Sequence, residues 1–150
     1  MKRNKQRTYF TVYLLFIFIL TTSCQGNTFY HSYQPVPTTG WSRSDTLVYP
    51  LATPIFNKDY IFDIGIRHKD SYQYRDIWLT INQDTLHLYL ADSIGNWEGK
   101  GIGETRQLIY PWKNNKLYPD SSHEFRIAHI MQDNPLTGIL DIGIQVKKVP

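Results

Sequence analysis

The chain has 150 residues, a net charge of +3 and a single cysteine. Residues 1–23 hold four Lys and Arg residues and no acid, so the remaining 127 residues carry 12 basic and 13 acidic side chains, a net charge of −1. That balance leaves no basic stripe for nucleic acid. The length fits one domain, and the lone cysteine excludes an intrachain disulfide.

The first 24 residues are organised like a lipoprotein signal peptide. Basic residues 1–7 precede the apolar run 9–20, and the small polar residues 21–23 lead directly to Cys24. The apolar run of 12 residues is shorter than the roughly 20 that a membrane-spanning helix needs. The arrangement resembles a bacterial lipobox, so we predict that residues 1–23 are removed and that Cys24 carries a covalent lipid. The alternative is an ordinary secretory signal followed by a free cysteine.

Residues 24–40 are predicted to be a lipidated tether. Pro35, Pro37 and Gly40 punctuate this stretch, and no apolar period is sustained through it. Its aromatic residues could still dock on the folded part of the chain. The predicted domain spans residues 41–150.

The rest of the chain shows the alternation of apolar and polar residues that is typical of strands. A turn at Gln83 and Asp84 joins two of these segments into a hairpin, and the four glycines within 91–103 indicate a loop. We predict an all-β fold, a single antiparallel β-sandwich of about seven strands, Ig-like or jelly-roll-like, with a rolled-up barrel as the alternative. The predicted strands are residues 45–51, 60–69, 76–82, 85–90, 105–112, 123–132 and 138–149.

Three blocks resemble a known family. The first is residues 66–79 (IRHKDSYQYRDIWL), the second is 90–103 with its Leu-Ala-Asp, Trp and glycines, and the third is 130–144. In this order behind a lipobox, they resemble the GldH-type gliding motility lipoproteins of the Bacteroidota. The resemblance implies a non-catalytic envelope lipoprotein that supports the gliding machinery or the linked type IX secretion system, with other envelope proteins of those systems as partners. It implies no cofactor beyond the lipid on Cys24.

The location of the lipid anchor is also an expectation. Gln25 follows Cys24, where enterobacterial lipoproteins retained at the inner membrane have Asp. By this analogy we expect the chain to be held at the outer membrane. No acidic run of the kind linked to surface export in Bacteroidota follows Cys24, so we expect the domain to face the periplasm.

Candidate partner-binding residues come from the first two blocks. They combine Tyr, Trp and Arg, which interface hot spots favour, with a glycine-rich loop; the alternative is that the tyrosines cap the sandwich, that Arg67 pairs with Asp70 or Asp76, and that the glycines serve positive φ. The candidates are Arg67, Tyr72, Tyr74, Arg75, Trp97, Gly99 and Gly101.

Other functions are weaker predictions. A glycan-binding lipoprotein would need exposed Trp41, Trp78, Trp97 or Trp112 in a coplanar row. Asp92, Asn96 and Glu98 offer oxygens for Ca²⁺, although their spacing does not match an EF-hand. The five histidines lack the spacing of a zinc site. No motif selects a catalytic pair or triad, so an enzyme is not expected.

Overall fold

A computed structural model describes residues 28–51, 60–112 and 123–148. Within these ranges the chain forms nine strands and no helix. The strands are β1 (Thr28–Pro35), β2 (Leu47–Pro50), β3 (Tyr60–Lys69), β4 (Asp76–Ile81), β5 (Asp84–Tyr89), β6 (Lys100–Ile102), β7 (Thr105–Trp112), β8 (Glu124–His129) and β9 (Ile139–Lys148).

The strands form two antiparallel sheets that pack face to face. One sheet has the order β1-β9-β3-β7-β6 and the other the order β2-β8-β4-β5. Phe62 of the first sheet meets Phe125 of the second edge to face, with ring centroids 5.5 Å apart. The buried Tyr49 hydroxyl crosses the same gap and donates to the Ile142 carbonyl at 2.7 Å. The predicted all-β sandwich is therefore confirmed, with nine strands rather than about seven.

Alternation decides which side chains form the core. Isoleucines at every second position of β3 and β9 pair across the ladder and point inward, and the same period in β4 buries Ile77, Leu79 and Ile81 completely. This burial of apolar surface is the main force that stabilises a domain without disulfides.

The predicted tether is wrong from residue 28 onward. Thr28–Pro35 forms β1, which pairs along β9 as an edge strand of the larger sheet. Its inward positions include Ser32 and Gln34, so no apolar period marks it as a strand. Instead, Tyr33 attaches β1 to the outer face of the sheet. Its ring lies over Gly65 and Gly143, which pair in register on β3 and β9. Residues 24–27 and the signal peptide lie outside the described residues.

Two further boundaries differ from the prediction. The hairpin turn between β4 and β5 is residues 82–83, one position earlier than predicted, because Asn82 takes the positive φ of 52° that Asn tolerates well. The predicted glycine loop 91–103 contains the short strand β6, which pairs with the start of β7.

The sandwich has two ends. Residues 36–46, 70–75, 90–99 and 130–138 connect strands at one end, which we call the loop end. At the other, the N-terminal end, β1 begins, β9 stops at Lys148 and β3 starts at Tyr60. Strands of ten residues separate the two ends, a distance of about 33 Å.

Candidate interaction surface

The three sequence blocks meet at the loop end. The Lys69 amide donates to the Gly138 carbonyl at 2.8 Å, and the Leu90 amide donates to the Arg75 carbonyl at 2.7 Å. The Trp78 amide contacts the Met131 sulfur at 3.2 Å. Segments far apart in the sequence are therefore bonded into one structural unit.

An aromatic cluster lies inside this unit. The His68 ring is 4.6 Å from the Trp97 ring and 5.8 Å from the Tyr72 ring, centroid to centroid. Tyr74 continues the cluster, 5.8 Å from Tyr72. Gly138 packs directly against Tyr72 and has a φ of +90°, which glycine adopts readily. A Cβ at this position would also approach the Tyr72 Cα to 2.9 Å. Tyr72 and Trp97 thus serve mainly to close the end of the core.

Polar groups in the cluster are held in their neutral forms. The buried Tyr72 hydroxyl donates to the Asp76 carbonyl at 3.0 Å, and burial raises the pKa of that phenol. Burial likewise lowers the pKa of His68. Nδ1 of His68 lies 3.0 Å from the Lys69 carbonyl, and its Nε2 has no hydrogen-bond partner. A neutral imidazole that donates from Nδ1 fits this environment.

Tyr74 and Arg67 have specific partners of their own. A hydrogen bond to the Asp133 side chain raises the pKa of the Tyr74 phenol. Arg67 lies on the outer face of the five-stranded sheet, where its Nε donates to Asp141 at 2.7 Å. The Arg67 guanidinium also lies 5.2 Å from the centre of the Tyr33 ring. Arg67 therefore pairs with Asp141, neither of the two acids that the sequence suggested.

The two candidate glycines leave room for neighbouring groups. A Cβ on Gly99, whose φ is +85°, would lie 2.2 Å from the Gln107 carbonyl oxygen. A Cβ on Gly101 would collide with the Arg106 side chain, which lies over it and forms a two-pronged ion pair with Asp70 at 2.7 and 3.0 Å. Both glycines shape the loop rather than present a chemical group.

Arg75 is the exposed arginine of the predicted set. It lines an open cleft of about 520 Å³ between β5 and β7. Its Nη1 donates to the Ser93 carbonyl at 2.9 Å, which fixes the guanidinium at the mouth of the cleft. The other residues that line this cleft are Tyr89, Ala91, Asp92, Ser93, Glu98 and Tyr110.

Four large apolar side chains are exposed at the same end of the sandwich, one of which, Tyr89, lines this cleft. Trp78 is 40% exposed, Tyr89 56%, Ile94 82% and Ile130 44%. The Ile130 amide bonds to the Trp78 carbonyl, and Ile94 follows Ser93, whose carbonyl accepts from Arg75. We call these four residues and Arg75 the loop-end surface. The four apolar members are absent from the predicted partner-binding set, and Trp78 is predicted only as a possible sugar-stacking residue. Large residues at outward strand positions, as Trp78 and Tyr89 are, could have indicated them.

Trp78 and its described aromatic neighbours do not form a sugar-stacking platform. The Trp78 indole is stacked on the His87 ring, with centroids 4.0 Å apart and planes 8° from parallel. One face of Trp78 is therefore covered by the protein itself, and His87 is fixed by Asp76 at 2.5 Å. Trp41 is fully buried. The coplanar row that a glycan-binding function predicts is not formed by Trp78 and its neighbours.

Two of the three predicted calcium ligands, Asp92 and Asn96, are engaged in a local turn. The Asp92 carboxylate accepts hydrogen bonds from the Asn96 amide at 2.8 Å, the Asn96 side chain at 2.9 Å and the Ile94 amide at 3.0 Å. These bonds lower the pKa of Asp92. Across the described ranges, no group of three or more His, Cys, Asp or Glu side chains could hold a metal ion. In the same ranges, no helix is long and apolar enough to cross a membrane.

Comparison with known proteins places the chain in a family. A family model described as GldH lipoprotein matches residues 28–146, the part that contains all nine strands except the last two residues of β9. The chain belongs to the GldH lipoprotein family. A gliding motility lipoprotein GldH homolog from Christiangramia forsetii is 25% identical over 160 residues, an alignment that covers 95% of this chain and 98% of that protein. No solved structure matches the chain.

Family membership confirms the resemblance seen in the sequence blocks. As a GldH-family gliding motility lipoprotein, the chain is expected in the cell envelope with a lipid anchor, and the family is not known as enzymatic. The three blocks that carry the resemblance are the segments that build the loop end. What those segments present to solvent is therefore the first place to look for the role of this GldH protein.

Proposed function

We propose that this GldH protein is a non-catalytic scaffold that holds another envelope protein of the gliding or type IX secretion apparatus on its loop-end surface. Its anchor lies in the outer membrane and its domain faces the periplasm. The observation that carries the proposal is the loop-end surface itself, a group of exposed Trp, Tyr, Ile and Arg side chains at one end of the sandwich.

The composition of the patch supports a protein partner. Protein interfaces are enriched in Tyr, Trp and Arg, and a few such residues supply most of the binding energy. The Arg75 guanidinium is already held by the Ser93 carbonyl, so little side-chain entropy is lost when it meets a carboxylate. Trp78 is likewise held by its stack on His87. A rigid, partly apolar surface of this kind suits a specific partner.

The orientation of the sandwich supports the same function. The predicted anchor precedes β1, which starts at the N-terminal end, whereas the loop end lies about 33 Å away along the strands. The loop-end surface is therefore directed away from the membrane that carries the lipid, where a neighbouring envelope protein can reach it.

Cross-linking pull-down of the lipidated protein from cell envelopes tests the proposal. The native protein is expected to recover proteins of the gliding or secretion apparatus. Arg75→Glu and Tyr89→Ser should each weaken that recovery, by about thirtyfold in affinity if the residue is a hot spot. Arg126→Glu is the matched control, because Arg126 is a half-exposed arginine on β8, outside the loop-end surface.

Two outcomes would count against different parts of the proposal, the binding surface and the scaffold function. Recovery that is unchanged in both loop-end variants would show that the partner binds elsewhere. Recovery of glycan-uptake proteins alone, together with unaltered gliding and secretion when the gene is deleted, would refute the scaffold function itself.

A further inference from the structure

The chain between the predicted anchor and the sandwich is very short. Cys24 and Thr28 are separated by three residues, and Thr28 is the first residue of β1. Four Cα-to-Cα steps span at most about 14 Å when fully extended. The headgroup layer of one leaflet is about 5–8 Å thick, so a lipid on Cys24 holds the N-terminal end of the sandwich against the bilayer surface.

This end presents apolar side chains to solvent. Phe29 sits in a β-bulge between Thr28 and Tyr30, is 44% exposed, and leans on Tyr60 with ring centroids 5.3 Å apart. A bulge re-aims the side chain of its extra residue, here away from the regular ladder. Ile61, on the outer face of β3, which lies beyond β9 in the sheet, is 41% exposed.

Two lysines end β9 beside these residues. Lys147 pairs in register with both Thr28 and Ile61, and its ammonium bonds to the Asp63 carboxylate at 2.6 Å. Lys148 is the next residue and is exposed. Lysines that flank aromatic and aliphatic side chains are typical of surfaces at the membrane interface, because the long stems lie on apolar groups while the ammonium reaches lipid phosphates.

We propose that the N-terminal end is a lipid-contacting face formed by Phe29, Tyr60, Ile61, Lys147 and Lys148. Its occupant is the headgroup region of the bilayer that holds the protein's own acyl chains. Phe29 and Ile61 enter the headgroup layer, and Lys148 meets the phosphates. The inference rests on the lipid at Cys24 and is independent of what binds the loop-end surface.

Site-specific fluorescence on the full lipidated protein in vesicles tests this face. Since Cys24 is the only cysteine of the chain and its thiol would be occupied by lipid, an introduced cysteine carries a label at one position. A polarity-sensitive label at Ile61→Cys should be strongly quenched by a quencher attached to lipid headgroups. The same label at Ile94→Cys, an isoleucine 82% exposed at the loop end, is the matched control and should be unaffected.

A second variant distinguishes contact from mere proximity. Inserting a long flexible linker between Gly26 and Asn27 frees the sandwich from the short tether without changing the face. Quenching at position 61 should persist in large part, and adding Phe29→Ser with Lys148→Ser should reduce it severalfold. Circular dichroism checks that each variant is folded.

Three results would overturn the proposal. The first is equal, weak quenching at positions 61 and 94 in the native-length protein. The second is complete loss of quenching at position 61 once the linker is inserted, which would mean that the tether alone imposes the contact. The third is an intact mass without acyl chains on Cys24, since the face would then have no reason to meet the bilayer.

Discussion

The loop end and the N-terminal end of the sandwich are held together in different ways. At the loop end, four connections bond to one another through backbone amides, an ion pair between Asp70 and Arg106, and a buried aromatic cluster. At the N-terminal end, the described connection is the two-residue turn 82–83, and strands otherwise stop with Phe29 and Ile61 exposed. The loop end is held by many specific hydrogen bonds and ring contacts, whereas the N-terminal end presents apolar side chains with few such bonds among the described residues.

The first prediction concerns the stability of the two ends. Trp41 is fully buried at the loop end, donates from Nε1 to the Asp45 carbonyl at 2.8 Å and lies 5.1 Å from the His129 ring. Trp41→Ala should lower the free energy of unfolding by about 3–5 kcal/mol. Phe29→Ala, at the N-terminal end, should cost less than about 1 kcal/mol. Urea unfolding followed by circular dichroism measures both, and equal losses would contradict the comparison.

The second prediction concerns the attachment of β1. The Tyr33 ring covers the paired glycines Gly65 and Gly143. A Cβ at either glycine would collide with the ring. Aromatic cover of this kind restores the packing that glycines lack in a strand. Tyr33→Ala should destabilise the fold by about 2 kcal/mol, because the ring is partly rather than fully buried.

A control variant distinguishes packing of the Tyr33 ring from its interaction with the Arg67 guanidinium. Arg67→Ala removes the guanidinium that lies over Tyr33, an interaction of about 0.5–1 kcal/mol, and also breaks the pair with Asp141. A loss in Arg67→Ala as large as that in Tyr33→Ala would show that charge, not ring packing, attaches β1.

The third prediction is a pH dependence that originates at the loop end. Burial lowers the pKa of His68, which faces Asp70 and Arg106, and that of His129, which faces Arg43 and Asp45. The unfolded chain therefore takes up these protons at a higher pH than the folded chain does. Stability should be complete above about pH 6.5 and fall as the pH drops toward 5, by up to about 1.4 kcal/mol per pH unit for each histidine.

Urea unfolding at a series of pH values measures this slope. His68→Gln and His129→Gln should each flatten it, because each removes one histidine whose pKa is lowered by burial. An identical slope in all three proteins would show that the buried histidines are not its source.

The smallest predicted effect tests whether every loop-end glycine matters. Gly95 has a φ of +91° but no atom within 4 Å of an added Cβ, whereas Gly138 has a φ of +90° and meets Tyr72 at 2.9 Å. Gly95→Ala should cost only the backbone strain, about 1 kcal/mol. Gly138→Ala should cost clearly more. Thermal unfolding of the two variants compares them, and equal shifts would mean that the close contact with Tyr72 yields easily.

Most of the core could be predicted from the sequence because alternation directly encodes which face of a strand is buried. The alternation in 60–69 and 138–149 predicts that Ile64, Ile66, Ile142 and Ile144 point inward, and all four are buried. Alternation failed for Asp63, which is buried on the outward side of β3. The Asp63 carboxylate is bonded by Lys147 of the neighbouring strand β9. The alternation within β3 itself does not reveal this contact.

The site was harder to predict than the fold. The blocks that matched the family lie at the loop end, where Tyr72 is buried and Trp97 is partly buried against the core, whereas Arg67 lies on a sheet face. Whether an arginine is engaged or available depends on a partner such as Asp141, 74 residues away in the chain. The exposed group around Arg75 arises only when β4, β5 and the 90–99 loop are brought together.

The antiparallel pairing of β1 with β9 has a mechanical consequence. In the proposed arrangement, the lipid would pull β1 from its N-terminal end, and a load on the loop end would pull the rest of the sandwich the opposite way, parallel to the strands. Ladder hydrogen bonds run perpendicular to the strands, so such a pair is loaded in shear and its bonds resist together instead of opening one by one. The Tyr33 ring packs over Gly65 and Gly143 and would have to leave that position before β1 could slide, so a sandwich anchored in this way would resist force best along its strands.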